Sequence, residues 1–312
     1  MTWLIEEGIG EHRAIRYEAG QAFAARLDWP GDLAAGHVAD AVLIMRMAGT
    51  PRGRARFPCG QEAVIDRLPP NASEGAAIRL EITRSALRER TRTKLAQARP
   101  TELSLRPAPT LAQSLHATGA PVRLVQRFPD DSWAAIWHDA WEQTVDFPGG
   151  SLHFSATPAM TLVDVDGHLA PRDLALAAIA PLAETIRRFD LGGAIGIDFP
   201  TLADKADRRR IDTALAEALD DWPHERTAMN GFGFVQLVAR MERPSLLHRM
   251  AQYRPGAAAR LLLRMAEQPE RPGPLLLTCH PLVAARLRPE WLAELARRTG
   301  RPGAESADHG GR

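Results

Sequence analysis

Residues 162–167, Leu-Val-Asp-Val-Asp-Gly, alternate apolar and acidic side chains and stop at a glycine. In a strand, residues i and i+2 face the same side. Asp164 and Asp166 therefore point together, with Val163 and Val165 buried behind them. Two carboxylates on one face repel and raise one pKa unless a cation sits between them. A hard divalent ion such as Mg2+ suits oxygen ligands. Asp198 ends a second apolar strand, 194–199, just before Pro200. Ligands gather at such strand ends in α/β sheets. Two readings follow. Three carboxylates at strand ends make a Mg2+ site that orients water and stabilises charge on a phosphate. Alternatively, Asp164 caps a turn and Asp198 caps the next helix.

The flanking pattern alternates strands and helices. Residues 151–156 and 160–166 read as a strand pair joined by Thr157-Pro158. Residues 173–189 place Ile179, Leu182 and Ile186 at helical spacing, with Pro181 expected to kink the helix or mark its first turn. A helix over 204–219, a strand over 232–240, a helix near 257–267, a strand at 275–278 and a helix at 282–295 follow. This order argues for an α/β layer. Upstream, Asp131-Ser132 can open a helix to about residue 144. Its Trp133, Ile136, Trp137 and Trp141 share one face, as core rather than as a nucleobase platform.

The N-terminal part reads differently. Strands at 3–5, 14–18 and 21–27 precede a turn cluster at 28–32. Strand candidates at 37–45, 53–57, 62–68 and 77–84 fit a small closed barrel of the oligonucleotide-binding kind. Residues 100–120 are Pro-rich and read as a linker. Over residues 34–100 twelve Arg and Lys stand against six Asp and Glu, whereas 164–198 leans acidic and the whole chain carries only +1. A basic lobe beside an acidic pocket suits a polyanion held by one part and a metal by the other. The competing reading is compositional, since arginine replaces lysine everywhere but Lys94 and Lys205. With 45% apolar residues the chain can bury a core. It has no apolar run long enough to span a membrane and no signal-peptide pattern. Cys59 and Cys279 make neither a disulfide framework nor a four-cysteine zinc site. The expected compartment is cytoplasmic.

Asp164-Val165-Asp166-Gly167 resembles the opening motif of haloacid-dehalogenase-type phosphatases. Against that, a long segment precedes it, His168 stands where the family has Thr, and Asp220-Asp221 follows a helix rather than a buried strand. A longer series of motifs runs through Gly149-Gly150-Ser151-Leu152, the stretch from Thr157 to Asp166, and Arg187-Arg188-Phe189-Asp190-Leu191-Gly192-Gly193 leading to Ile195-Gly196-Ile197-Asp198-Phe199. Downstream, Asn230-Gly231-Phe232-Gly233-Phe234 and the run from Arg240 to Leu246 continue it in order. Together these motifs resemble the ribonuclease E/G family.

The resemblance implies an α+β / α/β multidomain protein. An S1-like (OB) β-barrel would be inserted near the N-terminus, followed by an α/β DNase I-like catalytic domain and a small α/β tail. The expected divisions are 1–33 packing with 99–148, the barrel at 34–98, the catalytic domain at 149–250, a small domain at 251–300 and a disordered tail at 301–312. It implies a Mg2+-dependent endoribonuclease that hydrolyses single-stranded RNA to 5′-phosphate and 3′-hydroxyl ends. Asp164 and Asp198 would bind the metal, and Asp166 would support them. Phe57 would stack on bases, and Arg90, Arg92 and Lys94 would meet phosphates. Asp166 replaces a family Asn, Pro158 replaces a Glu, and the 164–198 segment is shortened. Most of the family's 5′-sensing segment and its zinc-linking Cys-x-x-Cys are absent, so a zinc-linked dimer is not expected. The alternatives are an RNA-binding protein of the same kind that has lost cleavage and, third, the phosphatase.

Overall fold

The computed structural model describes residues 2–31, 33–89, 92–268, 273, 275–301 and 303–307. Strands β1 (Trp3–Gly8), β2 (Glu11–Glu18) and β3 (Gln21–Asp28) form an antiparallel meander. Alternation decides its two faces. Trp3, Ile5, Ala14 and Ala24 pack to one side, and Leu4, Ile15, Ala25 and Leu27 to the other.

Between this sheet and its fourth strand lies a closed five-stranded barrel. Its strands are β4 (Val38–Met47), β5 (Arg52–Arg56), β6 (Glu62–Asp66), β7 (Ala77–Arg84) and, after a two-residue pair β8 (Leu87–Arg88) and β9 (Thr93–Lys94), β10 (Ala96–Pro100). The ring order β10-β6-β5-β4-β7, with β10 parallel to β6, is consistent with an OB fold. Closure leaves the barrel no free edge. Small inward residues (Ala41, Ala55, Ala63, Ala96, Ala98) let Leu43, Ile65, Leu80 and Ile82 fill it.

The Pro-rich stretch expected as a linker contains α1 (Leu111–His116). The Thr110 hydroxyl accepts from the Gln113 N–H, and the Gln113 side chain accepts from the Thr110 N–H, a capping box. Leu111 and Leu115 then cover Trp3 and Ile5. Next, β11 (Val122–Leu124) pairs parallel to β1, and α2 (Ser132–Glu142) carries the tryptophan stripe. Trp133 and Ile136 are buried, and Trp137 and Trp141 stack at 4.9 Å against the same core.

The second large sheet contains β12 (Thr144–Phe147), β13 (Gly150–Ala156) and β14 (Thr161–Gly167). The crossover helix α3 (Pro171–Arg188) leads to β15 (Gly193–Asp198). Then come α4 (Lys205–Ala218), β16 (Glu225–Arg226) and β17 (Phe234–Ala239). The order is β12-β13-β14-β15-β17-β16, and β14–β15 is its one parallel pair among the described residues. A parallel pair needs a long crossover, and α3 supplies it. Helix α3 packs on β3 and on β12–β14. It is therefore covered on two sides, which explains why Leu174, Ala178, Leu182 and Ile186 are all buried. Pro171 lies in its first turn, and the helix continues through Pro181 rather than starting there.

Helices α5 (Leu246–Gln252) and α6 (Arg254–Ala266) lead to β18 (Leu275–Cys279). The single helix expected over 282–295 is two, α7 (Pro281–Ala284) and α8 (Pro289–Thr299). Pro289 cannot continue a helix but suits a first turn. The tail expected to be disordered includes β19 (Gly303–Ala307), which pairs parallel to β18. The exposed edge of β18 gives those backbone groups partners that no local sequence pattern announces. Residues 308–312 lie outside the described residues. Helix α6, β18 and α8 close on Ile9 through Leu263, Leu277, Trp291 and Leu295. At Gly10 (φ +72°) a Cβ would lie 2.7 Å from the Trp291 ring. No helix among the described residues is long and apolar enough to cross a membrane.

Candidate active site on the open face of the sheet

One row of the second large sheet runs Thr144, His153, Asp164, Asp198, Phe234 across β12, β13, β14, β15 and β17. Asp164 and Asp198 are thus direct partners on neighbouring parallel strands. Adjacent strands lie about 4.8 Å apart, so these two backbones set their carboxylates side by side. The neighbours Val163, Val165 and Ile197 are at most 5% exposed on the opposite face, whereas Asp164, Asp166 and Asp198 are all exposed. The sheet is covered on one face and open on the other, and the acidic residues stand on the open one.

The capping alternative fails for Asp198. The following helix is capped by Asp204, whose carboxylate accepts the Ala206 N–H at 2.8 Å. Asp166 behaves differently from the pair. Its partner across β13 is Ser151, and its Oδ1 accepts the N–H of Gly167 at 2.8 Å. Among the described residues, no group of three or more His, Cys, Asp or Glu is arranged to hold a metal ion. Asp166 thus serves the turn that ends β14, while Asp164 and Asp198 remain the register pair.

The end of that strand explains the glycines. At Gly150 a Cβ would lie 2.4 Å from the Asp166 carbonyl, and at Gly167 it would lie 2.4 Å from the Gly149 carbonyl. Strands β13 and β14 approach too closely there for any side chain.

Sequence reasoning missed two features of the open face. His153 stands directly across from Asp164, with Nε2 2.9 Å from the Ser151 hydroxyl and Nδ1 3.3 Å from the Thr144 hydroxyl. Its signal was its place between buried Leu152 and Phe154. The second feature is aromatic. At Gly196 a Cβ would lie 2.5 Å from the Phe234 ring and 3.0 Å from both Leu162 and Met160. The missing side chain lets that ring lie across β15 beside the aspartates. Phe232 is 79% exposed. The Asn230 carboxamide oxygen accepts the N–H groups of Phe232 and Phe234 at 2.9 and 3.1 Å. Gly233 (φ +91°) packs so closely that a Cβ would lie 2.4 Å from the Phe199 carbonyl. The loop is thereby tied to the residue after Asp198.

The barrel residues expected to hold RNA are placed otherwise. Phe57 is 2% exposed in the barrel core. It keeps the inward parity of buried Gly53 and Ala55, which corrects its expected stacking role. Lys94 is a positioning residue. Its ammonium donates to the Pro158 carbonyl at 2.6 Å and pairs with Glu89 at 2.6 Å, tying the β8–β9 pair to the β13–β14 turn. Arg92 also pairs with Glu89, at 2.6 Å, and stays largely exposed. Arg90 lies outside the described residues. Much of the basic excess is locally neutralised, as in Arg52–Asp66, Arg79–Asp40 and Arg99–Glu81.

The Arg-Arg-Phe-Asp-Leu-Gly-Gly run is a structural corner. Asp190, in the left-handed region (φ 52°), pairs with Arg26 at 3.1 Å and Arg243 at 2.9 Å. Burial pushes the Arg26 guanidinium below its usual range, and Asp190 opposes that push. Arg187 donates to the carbonyls of Ala183 and Ala218 and pairs with Asp221. Asp221 is thus engaged at the end of α4 and offers no second acid pair of the phosphatase kind.

The chain is 33% identical over 112 aligned residues to Ribonuclease G of Escherichia coli (strain K12), Shigella flexneri and Salmonella typhimurium. The match takes in 32% of this chain and 23% of each of those proteins, so the chain spans less than a quarter of their length in the match. No family model matches the chain. Its similarity to known proteins thus lies with proteins named Ribonuclease G, over about a third of its length.

Proposed function

We propose that the protein is a Mg2+-dependent endoribonuclease that hydrolyses single-stranded RNA, leaving 5′-phosphate and 3′-hydroxyl ends. The observation that carries this reading is the pairing of Asp164 with Asp198 on the open face. Two exposed carboxylates from adjacent strands fit Mg2+, which keeps several waters and is commonly held by one or two carboxylates plus substrate phosphate. Asp164 and Asp198 would hold the ion. When bound, it supplies an activated water and neutralises charge on the scissile phosphate. In the reaction a water oxygen bonds to phosphorus, the bond from phosphorus to the 3′ oxygen breaks, and that oxygen takes up a proton. His153, held by two hydroxyls beside Asp164, stands where a proton can be taken or given. Phe234 and the exposed Phe232 offer ring faces on which unpaired bases stack without strong sequence choice. The partial likeness to Ribonuclease G supports the same reading.

A second reading is RNA binding without cleavage. The turn of Asp166 toward Gly167 favours it, because no third carboxylate helps to hold the ion. The deciding experiment incubates the purified chain with end-labelled single-stranded RNA in Mg2+ and in EDTA. Internal cuts that require Mg2+ and leave 5′-phosphates support the first reading. Retained binding with intact RNA supports the second.

A further inference from the structure

Residues 199–204 connect Asp198 to helix α4, whose buried Ile211 and Leu215 fix the side that faces the core. The first half of the helix holds Lys205, Arg208, Arg209 and Arg210. Positions i, i+4 and i+7 of a helix share a face. Lys205, Arg209 and Asp212 therefore form one row, and Arg210 stands about 100° round the axis from Arg209. Lys205, Arg209 and Arg210 are all exposed.

The acids around this row are engaged elsewhere. The Asp204 carboxylate accepts the Ala206 N–H at 2.8 Å. Asp207 lies 3.8 Å from Arg172. Asp212 pairs with Arg226 at 2.5 Å and accepts the Met229 N–H at 3.2 Å. Arg208 is used to fasten the start of the helix, donating to the carbonyls of Leu202 and Ala203. Lys205, Arg209 and Arg210 make no ion pair, hydrogen bond or ring contact among the described residues. On the barrel, by contrast, Arg52, Arg79 and Arg99 each meet a carboxylate.

Two tethers set the row beside the loop that carries Phe232. The Thr201 hydroxyl donates to the Phe232 carbonyl at 3.4 Å. Asp212, the last member of the row, holds Arg226 and Met229, and the chain runs from Met229 straight into Asn230 and the loop. Phe234, at the far end of that loop, is the register partner of Asp198. A series of bonded and register neighbours thus leads from Asp198 through Phe234, Phe232 and Thr201 to Lys205 and Arg209.

We propose that Lys205 and Arg209 form a phosphate track for single-stranded RNA, following the backbone away from the aspartate pair while the Phe232 ring receives a base. The track rests on the reading of the open face as an RNA site. Single strands are held by ring faces for the bases and cations along the backbone, and this row supplies the second beside the first. Four residues of helix rise about 6 Å, comparable to the step between successive phosphates of an extended strand. Cations that touch only phosphate fix the path of a strand without reading its sequence.

The test is fluorescence anisotropy of the full chain with a labelled single-stranded oligoribonucleotide, in EDTA, over a series of salt concentrations. The double variant Lys205→Gln, Arg209→Gln is compared with Arg210→Gln, which removes a charge from the same helix but off the row. All should melt like the wild type, since these side chains are exposed and hold nothing in place. Each lost phosphate contact lowers the dependence of log K on log salt by about 0.7. The double variant should therefore bind several-fold more weakly at low salt, with a slope shallower by about 1.4, and Arg210→Gln should shift the slope little. An unchanged slope in the double variant overturns the track and leaves an RNA site at the aspartates standing. A shift per charge as large in Arg210→Gln also overturns it, because net charge alone would then be read. No binding of RNA by the wild type removes the open-face reading and the track together.

Discussion

Asp164 on β14 and Asp198 on β15 are register partners in the parallel pair of the second large sheet, and both project from the face that no core residue covers. Like charges set opposite each other on adjacent strands destabilise a sheet by roughly 0.2–1 kcal/mol. In EDTA, Asp164→Asn and Asp198→Asn should therefore melt at or slightly above the wild type. In Mg2+ only the wild type should gain stability, since an ion that binds the folded state alone raises it by mass action. The same variants should lose Mg2+-dependent RNA cleavage by about 100-fold or more, the scale expected for direct ligands when supporting residues already cost 10–100-fold. Thermal melts with and without Mg2+, run beside the cleavage assay, check both halves. Wild-type cleavage in the Asp198→Asn protein would remove the metal pair from the mechanism.

Phe232 is a surface aromatic held in place by the Asn230 carboxamide and the close approach of Gly233 to Phe199. An exposed ring on a fixed backbone, two residues from the register partner of Asp198, is a ready surface for an unpaired base. Phe232→Ala should weaken single-stranded RNA binding by about 1–3 kcal/mol and shift the melting temperature little, because the ring makes few buried contacts. Phe232→Tyr should restore binding. Fluorescence anisotropy with a labelled oligoribonucleotide decides the matter, and an unchanged affinity in Phe232→Ala would show that bases lie elsewhere.

The strand carrying Asp164 was legible because period-two alternation survives in a sheet covered on one side. The same rule placed β7, and the helical 3.6-residue period revealed the buried stripe of α2. Phe57 misled because a barrel turns one parity inward. The sequence shows the aromatic but not which parity is inside until the strands close. Asp166 sits on the expected face, yet its oxygen is taken by the next N–H, a choice made by the tight Gly149-Gly150 and Gly167 crossing. His153 and the Phe234 ring over Gly196 depend on cross-strand register, which no single segment encodes. The Thr110–Gln113 capping box was present in the sequence but lay in a stretch dominated by proline.

Asp190 holds Arg26 and Arg243 together at the corner between α3 and β15, with all three side chains largely removed from solvent. Asp190→Ala leaves two buried guanidinium groups facing each other. A loss of about 2–4 kcal/mol is expected, near the lower part of the range for breaking a buried ion pair. Asp190→Asn should lose less, because its amide oxygen still accepts and asparagine tolerates the left-handed backbone. Urea unfolding of the two variants measures the order, and equal stabilities for wild type and Asp190→Ala would refute the clamp.

His248 supplies a pH dependence that is separate from the carboxylates on the open face. Burial, with a smaller push from Lys94, holds its imidazole below the ordinary 6.5, and Glu89 opposes the shift. Ser245 meets its Nδ1 at 2.9 Å on the same helix, and Arg88, Arg249 and Arg260 line a cavity beside it. The folded state therefore binds this proton less readily than the unfolded chain does. Stability is complete above about pH 6.5 and falls as the pH drops toward the lowered folded value, with a slope of at most about 1.4 kcal/mol per pH unit. His248→Gln keeps an oxygen and a nitrogen near Ser245 but does not titrate, so it should flatten the decline between pH 7 and 5. Melting temperatures of the two proteins across that range provide the check. Parallel curves would mean that the imidazole takes its proton in the folded state as easily as in the unfolded one.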